Sequence, residues 1–270
     1  MDAALAATRE RPAHRAWAFL PFAVGASALV AQAVSTPAAI GLGLAFFAIG
    51  IAHGAADEQD GKIARFEVLS AAAYIVSGLA ITALFVIAPL AGLTLFLTLS
   101  AWHFARSTEG ARLRGIALAA LATGGSMLLH FAQTSEIFMA LTGSVIPVGW
   151  LYFWAMVGAA GLAAAIAHLL RKPDDYTIWL AVLPVGLLHP VLAVGTVFLI
   201  GHAMPVQGKQ IDAYGRSAVV SAQAPATIAA LASAGALVLL WHFDLVPLTL
   251  LAAAAFGFAT PHMLAERLER

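Results

Sequence analysis

IWLAVLPVGLLHPVLAVGTVFLIG, residues 178–201, is the stretch on which the fold turns. As one helix it would be about 36 Å long at 1.5 Å per residue, enough to cross the hydrocarbon layer once. It also holds Pro184, Gly186, His189, Pro190, Gly195 and Gly201. A single crossing would leave Lys209, Arg216, Arg267 and Arg270 on the opposite side from every basic residue before them. A break near Gly186–Pro190 with a return puts all 14 basic residues on one side. Basic residues in short connections stay cytoplasmic, and broken helices are tolerated where protein buries the freed backbone groups. The broken arrangement is therefore expected here, as two short helices or a re-entrant pair.

The rest of the chain has the same character. It is 61% hydrophobic and 10% charged, against about 45–50% apolar and 25% charged for soluble domains. Apolar runs recur near 16–34, 38–56, 67–88, 90–105, 115–132, 147–170, 178–201, 223–241 and 246–263. The connections between them alternate in charge. Lys62, Arg65, Arg106, Arg112, Arg114, Arg171 and Lys172 fall in 57–65, 106–114 and 171–176. The connections at 35–37, 89, 133–147 and 242–247 carry only Glu136 and Asp244. Residues 205–221 form the longest polar connection, and 134–147 holds a short helix outside the span. The expected fold class is all-α, a polytopic transmembrane bundle of about 8–10 membrane helices in one domain, 1–270. Residues 1–15 form a cytoplasmic N-terminal segment and both termini are cytoplasmic. Arg9, Arg11 and Arg15 before the run 16–34 also fit a signal peptide, but the length of that run and the spans that follow favour a first membrane helix. Lys+Arg and Asp+Glu balance at 14 each, and with no basic stripe nothing points to a nucleic-acid partner. With no cysteine, disulfides and thiolate metal sites are excluded.

Histidines carry the chemistry that remains. On this topology His53, His103, His168, His202 and His262 fall near the cytoplasmic ends of separate helices, and His130, His189 and His242 toward the other face. One such histidine is ordinarily an interface residue bonded to water or a carbonyl. Several at one depth are different, because ionisable groups inside spans are rare and usually functional, and neutral imidazole suits Fe, Zn, Cu or Ni. Asp57, four residues after His53, is placed either to orient an imidazole or as a solvated loop carboxylate. Trp102, Trp150, Trp154 and Trp241 read as belt or packing aromatics. The glycines from Gly115 to Gly124 and Gly125 suit close helix contact.

Five segments, in order, carry a resemblance. They are Gly50-Ile-Ala-His53-Gly-Ala-Ala-Asp57, Ser100-Ala-Trp-His103-Phe104, and Leu129-His130 with Thr134 and Ile137-Phe138. Pro190 through Phe198 to His202 follows, and then Thr260-Pro261-His262-Met263 with Glu266-Arg267. They resemble the Brp/Blh family of bacterial β-carotene 15,15′-dioxygenases. The resemblance implies an inner-membrane enzyme that uses non-haem Fe(II) and O₂ to cleave β-carotene, or a related carotenoid, at its central double bond to give retinal. Its iron ligands carry over to His53, His103 and His202. The fourth falls on Val206, for which His262 at the same depth is the substitute. Asp57, Trp102, Phe104, His130 and Phe198 are the implied residues around the metal or the substrate. Arg106 stands near the place of the acidic residues that follow the second segment in the family.

Two other functions fit the same residues. One is a carotenoid- or retinal-binding membrane protein without catalysis, suggested by Pro205 and Val206. The other is a transporter or proton pathway centred on the broken helix. The metal content of purified protein separates the dioxygenase from both. The oligomeric state is not fixed by sequence.

Overall fold

A computed structural model describes residues 13–51, 58–59, 62–63, 68–107 and 112–268. Thirteen helices follow one another among them: α1 (Ala13–Val34), α2 (Thr36–Ile51), α3 (Val68–Ile87), α4 (Pro89–Ser107), α5 (Arg112–Ala120), α6 (Ser126–Leu129), α7 (Phe131–Thr142), α8 (Val148–Leu169), α9 (Tyr176–Leu187), α10 (Pro190–Phe198), α11 (Met204–Tyr214), α12 (Arg216–His242) and α13 (Leu248–Leu268). Glu58–Gln59 and Lys62–Ile63 form a two-residue antiparallel pair.

Among the described residues, three helices are long and apolar enough to cross a membrane: Val148–Leu169, Pro190–Tyr214 and Arg216–His242. The pair Arg112–Leu129 and Phe131–Thr142, bent by 109°, makes a fourth if counted as one span, and five further apolar helices are shorter. Large apolar side chains such as Val76, Met156, Ile166, Ile228 and Leu239 stand on the outside, where lipid is the natural solvent for them. The chain is an all-α helical membrane bundle.

The decisive stretch is broken as expected. Helix α9 stops at Leu187, Leu188 is extended, and His189 caps α10 with Pro190 in its first turn. Proline suits that position because its missing N–H would have no partner there. The chain then folds back. Helix α9 touches both α10 and the following turn Leu199–Ala203, which a straight continuation would carry roughly 18 Å past the end of α9.

Two corrections follow from what proline and histidine do to helices. The connection expected at 205–221 is helical almost throughout. Residues Leu199–Ala203 form one π-helical turn, in which the N–H of Met204 bonds to the carbonyl of Leu199, and α11 continues from it. In an α-helix the ring of Pro205 would strike the carbonyl of Gly201, and widening the helix just before it relieves that clash. The one interruption before α12 is Gly215, at φ 84°. The second correction concerns the run 115–132, which ends at His130. Its backbone leaves the helical region (φ −129°, ψ 50°) and starts α7 at the bend.

Backbones meet where glycines allow it. A side chain at Gly43 would strike the backbone of Val191 and Leu192, and one at Gly195 that of Gly43, so α2 and α10 cross in contact. Gly124 and Gly158 do the same for α8 and the π-helical turn Leu121–Gly125. Small residues at such crossings are how membrane helices approach closely. Three apolar clusters fill the interior. One joins α1, α2 and α10. The second joins α5, α8 and α9. The third is built on Phe85, Leu93, Leu97, Met127 and Trp154.

Candidate metal centre

His103 stands on the last third of α4, and His202 in the π turn after α10. Both are nearly sealed from the outside, at 5% and 4% exposure. Their Nε2 atoms lie 3.0 Å apart, with ring centroids 4.6 Å apart at 71°. The π turn sets this meeting. All five of its residues are buried. Leu118 of α5 lies against Gly201, and α9 flanks the turn.

The surroundings are aromatic. Phe104 lies 4.7 Å from the ring of His202 and 5.8 Å from that of His103. Phe198, one turn before His202, is 5.9 Å from it, and Phe47 stacks on Phe198 at 5.5 Å. Gly50 fits under the same ring, since any side chain there would strike Phe198. Sequence reasoning missed Phe47. Its signal is helical spacing, because residues three apart share a face and Phe47 precedes Gly50 by three.

The expected site residues separate into distinct groups. His103, His202, Phe104 and Phe198 come together. His53 and Asp57 lie outside the described residues, as does the side chain of His262. Its neighbour Met263 is buried, with Sδ 3.6 Å from Oγ of Ser100, three residues before His103. Trp102 is 38% exposed and lies under Arg106, whose guanidinium carbon is 5.8 Å from the ring centre, a cation–π contact at the surface.

His130 stands apart from the pair. Its Nε2 donates to the carbonyl of Val185 at 3.1 Å, near the break before α10. His202 lies twelve residues down the returning helix from Pro190, about 18 Å away along it, so His130 does not border the pair. His189 stays at the break, where its Nδ1 accepts from the N–H of Val191. His168 is drawn elsewhere too. Its Nε2 donates to Oδ2 of Asp175 at 2.9 Å, and the same oxygen takes Nε of Arg114 at 2.8 Å. Oδ1 accepts from the N–H groups of Thr177 and Ile178, capping α9. Burial raises the pKa of this carboxyl. Arg114, the bond from His168 and the N–H of Ile178 outweigh it, and the net result is a pKa below the ordinary 3.8.

The fit of the pair to a metal follows from its spacing. At about 2.1 Å from a first-row ion, two imidazole nitrogens at a right angle lie about 3.0 Å apart. Two neutral imidazoles in an apolar niche suit such an ion, iron included. Among the described residues no group of three or more metal-ligating side chains gathers. Val206 lies one turn beyond His202, on the first turn of α11.

No curated protein and no solved structure matches the chain. A family model described as beta-carotene 15,15'-dioxygenase matches residues 44–268, from the middle of α2 to the end of α13. That match takes in both histidines and their aromatic surround, and the chain belongs to the beta-carotene 15,15'-dioxygenase family.

Proposed function

We propose that the protein is a non-haem iron dioxygenase of the cell membrane. It cleaves β-carotene, or a related carotenoid, at the central 15,15′ double bond. One molecule of O₂ is consumed, the double bond breaks, and each of its two carbons ends as an aldehyde with one oxygen atom, giving two retinal molecules. The observation that carries this reading is the buried approach of His103 Nε2 to His202 Nε2 at 3.0 Å, inside a chain of this family.

His103 and His202 would hold the ion as neutral imidazoles, with His53 and His262 as the proposed further ligands. Bound Fe(II) supplies O₂ activation, which no side chain of this cysteine-free chain offers. The protein's own residues do the rest. Phe47, Phe104 and Phe198 form an apolar wall that receives a polyene and keeps water from the reacting carbons. Gly50 leaves room for the ring of Phe198, and Leu118 and α9 hold the turn that aims His202. The positive-inside pattern puts this end of the bundle, and both termini, at the cytoplasmic surface.

The test is retinal formation and iron content on one sample. Wild-type protein from a host that accumulates β-carotene should carry iron and yield retinal. His103→Ala and His202→Ala should each lose most of both. Unchanged iron content in the two variants would sink the metal site, and a wild type that makes no retinal would sink the choice of substrate. The position of Val206 supports one rival, a carotenoid binder without catalysis. Co-purified carotenoid with neither iron nor retinal would establish it.

A further inference from the structure

Buried polar atoms in this bundle are almost all hydrogen-bonded. Among the described residues the exceptions are Trp154 Nε1, Ser126 Oγ, Gln207 Oε1 and Thr227 Oγ1. The last two belong to half-buried residues of α11 and α12. Ser126 is 4% exposed and its hydroxyl can donate or accept, whereas Trp154 can only donate. It is 2% exposed, and its indole sits in the cluster of Phe85, Leu93, Leu97, Met127 and Leu151. None of those side chains offers an oxygen. An N–H buried without an acceptor is costly. Its neighbour shows the usual solution, for one turn earlier Trp150 Nε1 donates to Oγ1 of Thr94 at 2.8 Å.

An indole N–H only donates, so whatever satisfies Trp154 must bring an acceptor. β-Carotene is a hydrocarbon and has none. The position of the indole says where an acceptor would be on a longer ligand. Leu97 and Leu93 precede His103 on α4 by six and ten residues, about 9 and 15 Å along the axis. An extended carbon chain advances about 1.2 Å per bond, so the dozen or so bonds from a carotenoid's central double bond to an oxygen on its end ring span on the order of 14 Å. A length of that order reaches the level of Leu93. Phe85 of the same cluster also lines, with Pro89, Thr142 and Leu250, a cleft of about 410 Å³.

We infer that Trp154 is a specificity-determining residue whose Nε1–H binds an oxygen on the end ring of the carotenoid. The preferred ligand is then a ring-oxygenated carotenoid, hydroxylated or ketonic, in place of the plain hydrocarbon. This inference rests on the dioxygenase reading for the position of the central bond.

The test uses full-length detergent-solubilised protein with two probes, β-carotene and 3,3′-dihydroxy-β-carotene. Carotenoid retained by the protein is titrated, and cleavage aldehydes are scored in the same samples. One neutral hydrogen bond predicts that wild type holds the dihydroxy compound about fivefold more tightly, and that Trp154→Phe brings the ratio of the two affinities close to one. A wild-type ratio of one or below overturns the inference, and needs no variant to fold. So does a ratio that Trp154→Phe leaves as it was. If the ratio behaves as expected but neither probe is cleaved, the binding site stands and the dioxygenase reading falls. If β-carotene is cleaved and the ratio is one, the reverse holds.

Discussion

Asp175 holds three helices with one carboxylate, and removing its charge separates two contributions to stability. In Asp175→Asn a side-chain oxygen remains to cap α9, because Asn caps as well as Asp. What disappears is the charge that Arg114 and His168 share at Oδ2. Arg114 and Asp175 are 17% and 15% exposed. That places the pair between a surface ion pair, which contributes at most about 1 kcal/mol, and a buried one, whose rupture costs about 3–5 kcal/mol. A loss of about 2 kcal/mol follows. Asp175→Ala also gives up the bonds from Thr177 and Ile178, for about 1 kcal/mol more. At about 2–4 °C per kcal/mol for a chain of this size, the apparent melting temperatures should fall by about 4–8 °C and 6–12 °C.

Acid supplies the second half of the assay. The folded pKa of Asp175 lies below its ordinary value of 3.8. Its contribution is therefore fully present above the unfolded pKa and is lost as pH falls through the folded one. The gap between wild type and Asp175→Asn should hold from pH 7 down to about 4 and close only below that. Thermal scans in one detergent across pH 3–7 measure it. A gap of under about 1 °C at pH 7, or one that persists undiminished under acid, refutes the assignment.

Other outcomes can be checked in the same preparations. Gly50→Val should push the ring of Phe198 off its seat beside His202, and iron content should fall while the protein still inserts. Gly158→Leu forces a side chain into the backbone of Gly124 and Gly125, and should cost at least about 3 kcal/mol, the upper range for overpacking. Thermal scans would read it. His168→Ala should lower the melting temperature and leave iron bound, because its partner is Asp175; loss of iron would place His168 in the metal centre. Pro205→Ala removes the reason for the π turn before it, and iron content should drop with little change in melting temperature.

Much of the architecture is legible in residue order, because hydropathy and proline act locally. A return within 178–201 follows from charge counting, since a single crossing would part Lys209 and Arg216 from the other basic residues, and Gly186 and Pro190 mark its place. The convergence of His103 and His202 also follows from topology, once the returning helix is granted. What escapes a linear reading depends on phase or on distant partners. Residues 205–214 look like a loop because their hydropathy falls, yet polarity does not end a helix. His168 looks like a member of the metal set until the chain closes and Asp175, seven residues on, reaches it together with Arg114. His130 is displaced for the same reason, since its partner is a carbonyl 55 residues away.

The break before Pro190 also bears on the order in which this protein can be built. The first arm of the hairpin, residues 176–187, is only about 18 Å long, against about 30 Å of hydrocarbon. Its turn therefore comes to rest inside the apolar layer, where no water reaches a freed amide. Two side chains from elsewhere in the chain serve it. Oε1 of Gln32, at the end of α1, accepts the N–H of His189 at 2.7 Å, and His130, at the corner before α7, donates to Val185. The hairpin is thus stable in lipid only after both are in place. It is the segment expected to settle last during biogenesis, and His202 can meet His103 only when it has.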